Sequence, residues 1–229
     1  RDTMLLSPLF ERAELDTEYR FDIEDALMIK EFIQRHPEKK GVVKALFQDG
    51  RISCGATYIQ PYEGMYSGEA LARQFYYGAK WLLDEFDYEA DTYWNVDVPG
   101  RTLQMPQLMA KAGVNNMVMT RHELGFYDWY SPDGSKVTAY SNGHYGDSYN
   151  ALGSEYYIAL DYLSKYSFKW EQFYKKEEQS KVIPVLSDWD MSPAKDYSSL
   201  ISSWNGISEL VNADGEKVIS AELSDKTKI

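Results

Sequence analysis

The sequence predicts an α/β fold built on a parallel-rich sheet with flanking helices, and three features lead there. Short apolar or alternating segments take turns with amphipathic helical segments, the order that produces parallel strands joined by crossover helices. Several strand segments run directly into loops carrying carboxylates, as at Asp97 and Asp188, and ligands bind at the carboxyl ends of parallel strands. No internal repeat or low-complexity linker interrupts the 229 residues, so 1–229 reads as a single domain with ample chain for a core.

In chain order, Met4–Leu15 reads as helical, with Leu5, Leu6, Leu9 and Phe10 on one face. Tyr19–Ile23 is a strand, and Glu24–Arg35 a helix with Leu27, Met28, Phe32 and Ile33 inward. Pro37 opens another helix, which Gly50 ends. Arg51–Tyr58 alternates apolar and polar residues as a strand and leads into the loop Gln60-Pro61-Tyr62-Glu63. Ser67 caps a long helix to about Phe86, in which Leu71, Phe75 and Leu82 are spaced for burial.

The strand Asp91–Val96 stops at Val98-Pro99-Gly100, because proline cannot donate to a ladder and glycine permits a sharp exit. A helix opens near Leu103, tolerates Pro106 in its first turn, and ends at Gly113. Asn116–Thr120 is a strand that delivers Arg121, His122 and Glu123 to a loop. Tyr127–Tyr140 forms a hairpin about the turn Pro132-Asp133-Gly134-Ser135, and Ser141–Tyr149 is loop. Helices follow at Glu155–Lys165 and Trp170–Gln179. Lys181–Leu186 is a strand ending in Ser187-Asp188-Trp189-Asp190. A helix starts about Tyr197, and the tail holds an Asp214-Gly215 turn and a strand, Lys217–Ala221.

Composition removes some function classes. A net charge of −12 without a Lys/Arg cluster argues against nucleic acid, whose phosphates require one. No apolar run approaches the ~18 residues of a membrane span, so the chain is expected in solution, with its compartment undetermined. The single cysteine, Cys54, excludes an internal disulfide and suits a buried strand position. The 19 Tyr and 6 Trp serve sugar faces or core packing equally well.

Two groups of residues carry a resemblance. The first is Trp94, Asp97, Gly100, Gln104, Pro106 and Gly113, a Trp-rich strand, an Asp, a glycine turn and a Gln-x-Pro helix. The second is Ser67, Gly68, Glu69, Arg73 and Gln74, at the start of the long helix. In this order they resemble the N-terminal catalytic domain of glycoside hydrolase family 38, the zinc-dependent α-mannosidases, over about Tyr19–Asn205. The resemblance implies part of a seven-stranded α/β barrel and retaining hydrolysis of terminal α-mannosides, with a mannosylated glycan as partner. It implies Asp97 as nucleophile and zinc ligand. Asp188 matches the acid/base, where Leu186-Ser187-Asp188-Trp189 lacks the family's glycine and Asp190 competes. Arg121 matches a residue that supports the nucleophile; its alternative is a surface pair with Glu123. Trp94 and Tyr145 line a sugar site or pack in the core, and Glu69 with Arg73 forms a structural helix pair.

The pattern departs from the family at the metal. Family members hold zinc with an early His-x-Asp pair, the nucleophile and a distant His. None of His36, His122 and His144 stands in His-x-Asp, and His36 suits a helix end. The resemblance therefore implies a fragment truncated at both ends, inactive alone, with zinc bound only in the intact parent. Two other classes stay open: a metal-dependent polysaccharide deacetylase, which needs a His-rich triad, and a non-catalytic carbohydrate-binding or assembly module. The oligomeric state is undetermined.

Overall fold

The computed structural model describes residues 2–174, 184–187, 189, 192 and 195–208. A π-helical turn, Asp2–Leu6, runs into α1 (Ser7–Leu15), which buries Leu9, Phe10 and Ala13. β1 (Phe21–Ile23) pairs in parallel with β2 (Ile52–Cys54), Phe21 opposite Ile52. The crossover between them holds α2 (Ala26–Arg35), a 3-10 turn at Pro37–Lys39, and α3 (Lys40–Gln48). Asp25 caps α2 by accepting from the Met28 amide at 3.1 Å, so the helix starts later than Glu24. Its buried face is Ala26, Ile29 and Phe32, with Met28 and Ile33 only partly buried. The expected inward set is thus rotated, because the amides of Ala26 and Leu27 bond the carbonyls of Thr57 and Tyr58 and turn Ala26 inward.

β2 ends at Cys54, four residues short of the expected Tyr58. The Gly55 amide still bonds Ile23, but the Ala56 amide turns to the Thr92 carbonyl at 2.9 Å. From there the chain lies against α4 (Gly68–Phe86), where the Tyr58 amide bonds the Gln74 carbonyl at 2.9 Å. Ser67 caps α4 by accepting from the Ala70 amide at 3.2 Å, and Leu71, Phe75 and Leu82 are buried as expected.

A second sheet has the order β3-β4-β6-β5: β3 (Thr92–Asn95), β4 (Asn116–Met119), β6 (Lys136–Ser141) and β5 (Gly125–Tyr130). β3, β4 and β6 are parallel, and β5 pairs antiparallel with β6 as a hairpin. α5 (Met105–Lys111) is the crossover from β3 to β4, followed by Gly113 at φ +79°, a left-handed exit that glycine adopts without strain. Among the described residues the two sheets stay open and no barrel closes. β2 and β3 approach through the Ala56–Thr92 bond without forming a ladder.

Three helices follow. α6 (Gly146–Leu152) occupies part of the stretch expected as loop. α7 (Tyr156–Tyr174) is one helix where two were expected, because Tyr166 and Trp170, one turn apart, are both buried and carry it through. α8 (Ser198–Ser208) begins where expected. Pro184–Ser187 has no regular structure; the rest of the expected Lys181–Leu186 strand, Gln179 and the tail from Asn212 lie outside the described residues.

The main core joins α1–α5 to both sheets, and Cys54 is buried in it, its thiol pushed well up by burial. A second cluster of Trp94, Val96, Val118, Tyr140, Tyr145, Tyr166 and Trp170 packs α7 against the second sheet. No described helix is long and apolar enough to cross a membrane.

Candidate active site

The register of two parallel strands builds the site. Asn95 at the end of β3 lies opposite Met119 at the end of β4, so Asp97 and Arg121, each two residues further on, emerge side by side. Arg121 Nε donates to Asp97 Oδ1 at 2.8 Å, and a second guanidinium nitrogen donates to the same oxygen. This pairing raises the Arg121 pKa, chiefly through the hydrogen bond. Arg121 pairs here rather than with Glu123. The two side chains are 51% and 38% exposed, too open for the pair to be a major source of stability.

Arg121 is held for geometry. Its φ of 59° is left-handed, a conformation that costs a non-glycine residue free energy and clusters at functional sites. Its amide donates to the Gly143 carbonyl at 2.6 Å, and its guanidinium lies 5.6 Å from the centre of the Tyr145 ring. Beside it, Arg121, His122, Glu123, Gly143 and His144 line an open cleft. His144 stacks on Tyr145 at 4.6 Å and its Nδ1 accepts from the Gly146 amide at 3.2 Å, while His122 meets Tyr127 edge-on.

Of the other expected site residues, Trp94 is 9% exposed and packs in the second core cluster. Tyr145 is also buried, with one face toward Arg121 and its ring 6.2 Å from Trp189. Asp188 and its competitor Asp190 lie outside the described residues. Glu69 and Arg73 form an exposed pair on α4 at 2.8 Å, and the His36 ring packs tilted against Phe32 at the end of α2.

A residue that no motif marked lies behind Asp97. Glu63 is only 2% exposed. Its Oε1 accepts from Tyr93 Oη at 3.0 Å and Asn95 Nδ2 at 2.8 Å, and its Oε2 from the Thr102 amide at 2.7 Å. Burial pushes the Glu63 carboxyl up, against the three donors and the nearby Arg101 charge. Arg101 donates to the Thr120 carbonyl at 2.7 Å, and its own pKa is lowered by burial. Gln60 Oε1 accepts from the Val96 amide at 3.1 Å, and the Thr120 hydroxyl donates to the Val96 carbonyl. No spacing in the sequence relates Glu63 to Asp97; only folding the loop after β2 against β3 does.

Zinc does not fit the donors in view. Among the described residues no three His, Cys, Asp or Glu side chains gather as a metal site. Asp97 is one carboxylate with one oxygen engaged by a guanidinium, whereas zinc takes three or four protein ligands.

The chain is similar to several known proteins. Residues 4–218 match the model of the glycosyl hydrolases family 38 N-terminal domain. An α-mannosidase from Saccharomyces cerevisiae is 28% identical over 150 residues, covering 57% of this chain and 14% of its own length. Human α-mannosidase 2C1 is 28% identical over 151 residues, covering 62% of this chain and 14% of its own. The chain therefore corresponds to a small part of these curated relatives. The crystal structure of an α-mannosidase from Enterococcus faecalis superposes with a TM-score of 0.76 at 20% identity, covering 89% of this chain and 24% of that one, which shows a shared fold.

Proposed function

The chain belongs to glycosyl hydrolase family 38, whose N-terminal domain its residues 4–218 match, and on that premise we propose that it supplies the nucleophile of a retaining α-mannosidase. The observation that carries this is Asp97: a carboxylate at the end of a parallel strand, beside an open cleft, oriented by Arg121 from the next strand. Both guanidinium contacts fall on Oδ1, which leaves Oδ2 as the attacking oxygen.

In the proposed reaction Asp188 is the acid/base that works with the nucleophile, the pair of carboxyl groups that retention requires. Asp188 gives its proton to the glycosidic oxygen as Asp97 Oδ2 bonds the anomeric carbon; the glycosidic bond breaks and the aglycone leaves as an alcohol. Water then attacks the same carbon, Asp188 takes its proton, and the Asp97 ester breaks to release mannose. Arg121 holds Oδ1 throughout, so that the nucleophile does not rotate away between steps. The substrate class is a terminal α-mannoside or mannosylated glycan. We assign zinc to the intact protein only, with Asp97 as one ligand.

The test is made on the full-length protein that contains this chain. A fluorinated mannosyl donor that accumulates the ester intermediate should label the peptide carrying Asp97, and Asp97→Asn should reduce hydrolysis to background. A label on another residue, or full activity in that variant, would refute the assignment.

A further inference from the structure

We propose that Glu63 is the positioning residue for the nucleophile, closing the segment that presents Asp97 by holding its entry and its exit with one carboxylate. This inference rests on the nucleophile role of Asp97. Tyr93 and Asn95, which donate to Glu63 Oε1, lie four and two residues before Asp97; Thr102, whose amide donates to Oε2, lies five residues after it. The intervening stretch leaves the sheet after Asn95 and contains Pro99 and Gly100, the latter at φ +79°, so no strand ladder fixes it. Gln60 from the same loop adds a third hold at the Val96 amide, one residue before the nucleophile. Arg121 fixes the carboxylate from the side. Together these contacts leave Asp97 little freedom to move along or across the cleft.

Stability alone does not account for an acid here. Removing a carboxylate from water is costly, and an apolar or amide side chain of similar size avoids that cost. What an ionised acid offers is a group that only accepts, and three donors converge on Glu63. A glutamine would turn its amino group toward one of those donors whichever way it faced. Arg101, half buried alongside, supplies the compensating charge. Buried acceptor, fixed donors and nearby cation together form a rigid clasp under the loop that carries Asp97.

The experiment measures the rate of labelling by the fluorinated mannosyl donor in the full-length protein, its Glu63→Gln and Tyr93→Phe variants, and Ser67→Ala as a control. Ser67→Ala removes the cap of α4, whose hydroxyl accepts from the Ala70 amide and is not among the bonds that hold Glu63, and should lower the thermal midpoint without changing the labelling rate. Glu63→Gln should slow labelling and kcat by about 100-fold, the scale of an ångström's misplacement, while KM moves far less. Tyr93→Phe, which deletes one donor and keeps the ring, should slow both in the same direction by a smaller factor. Peptide mapping of the wild type comes first: a label away from Asp97 ends the nucleophile assignment and this inference with it. With the label on Asp97, wild-type labelling rates in folded Glu63→Gln and Tyr93→Phe overturn the clasp and leave the nucleophile assignment standing. If Glu63→Gln does not fold, Tyr93→Phe decides. An equal slowing in Ser67→Ala would mean that lost stability is the cause, and would also overturn it.

Discussion

Replacing Gly78 by alanine sets a local preference against a tertiary contact. Gly78 lies inside α4, where helix propensity alone predicts a gain of about 1 kcal/mol for alanine. The structure predicts the opposite sign. A Cβ at Gly78 would stand 2.4 Å from the Ala56 carbonyl oxygen, 2.4 Å from the Thr57 carbonyl carbon and 2.6 Å from the Tyr58 nitrogen. Relieving those contacts requires α4 and the 56–58 segment to part by about 1 Å, since non-bonded atoms settle near 3.5 Å. Nothing there can swing aside, because all three atoms are backbone. The segment is also tied on several sides: Ala56 to Thr92, Thr57 to Ala26, Tyr58 to the Gln74 carbonyl and Ile59 to the Gln74 side chain. Overpacking costs about 1–3 kcal/mol, and a backbone-on-backbone clash belongs at the upper end. Subtracting the propensity gain leaves a net loss of about 2 kcal/mol, or a fall of roughly 4–8 °C in melting temperature for a chain of this size. Urea unfolding followed by tryptophan fluorescence measures it. A Gly78→Ala chain as stable as the original, or more so, would refute the close packing of α4 on the segment that leads to Gln60 and Glu63.

Three further outcomes are expected. The purified chain alone should not retain stoichiometric zinc after dialysis, because the described donors do not form a site; metal analysis showing one zinc per chain would overturn this. Arg121→Gly relieves a left-handed backbone while deleting the guanidinium on Asp97, so stability should hold or rise while hydrolysis by the full-length protein falls. Lost stability with unchanged hydrolysis would contradict it. Glu63 has its folded pKa raised above the ordinary 4.5, so the native state binds its proton more tightly than the unfolded chain does. Its contribution is full below that ordinary value and declines as pH rises through the folded value, by at most about 1.4 kcal/mol per pH unit. Unfolding free energies of wild type minus Glu63→Gln, measured from pH 4 upward, should therefore fall with pH; a rising or flat difference would show that Glu63 is not held in a protonation-favouring site.

What the sequence made legible was local chemistry. The Ser67 cap, the glycine exit at Gly113 and the Pro132–Ser135 turn each act within a few residues, and each is found where expected. Asp97 and Arg121 were legible as strand-end residues, since parallel neighbours bring equivalent ends together. Long-range packing was not legible. α6 forms in a Gly-, Asp- and Asn-containing stretch of poor helix propensity, where Tyr149 is buried. β2 stops early because Ala56 finds Thr92 and Tyr58 finds α4, choices that depend on where distant elements lie. The same holds for Glu63, whose partners are some thirty to forty residues away in sequence.

Several departures from local rules lie near Asp97. Arg121 takes a left-handed backbone, Glu63 is a buried acid, and Asn95 Oδ1 and Arg101 Nε are buried without a protein partner among the described residues. Each costs free energy that a surface or an apolar core would not, and all lie on β3, on the loops that follow β3 and β4, or, for Glu63, on the loop after β2 that packs against β3. A loop held only by favourable local structure would place Asp97 within a range of positions. Bonds reaching Glu63, Gln60, Arg101, Thr120 and Arg121 from separate parts of the chain narrow that range, because moving the carboxylate means breaking several of them together. Substitutions that relieve these costs should therefore trade rate for stability, whereas Gly78→Ala, which loosens the scaffold beneath them, should lose both.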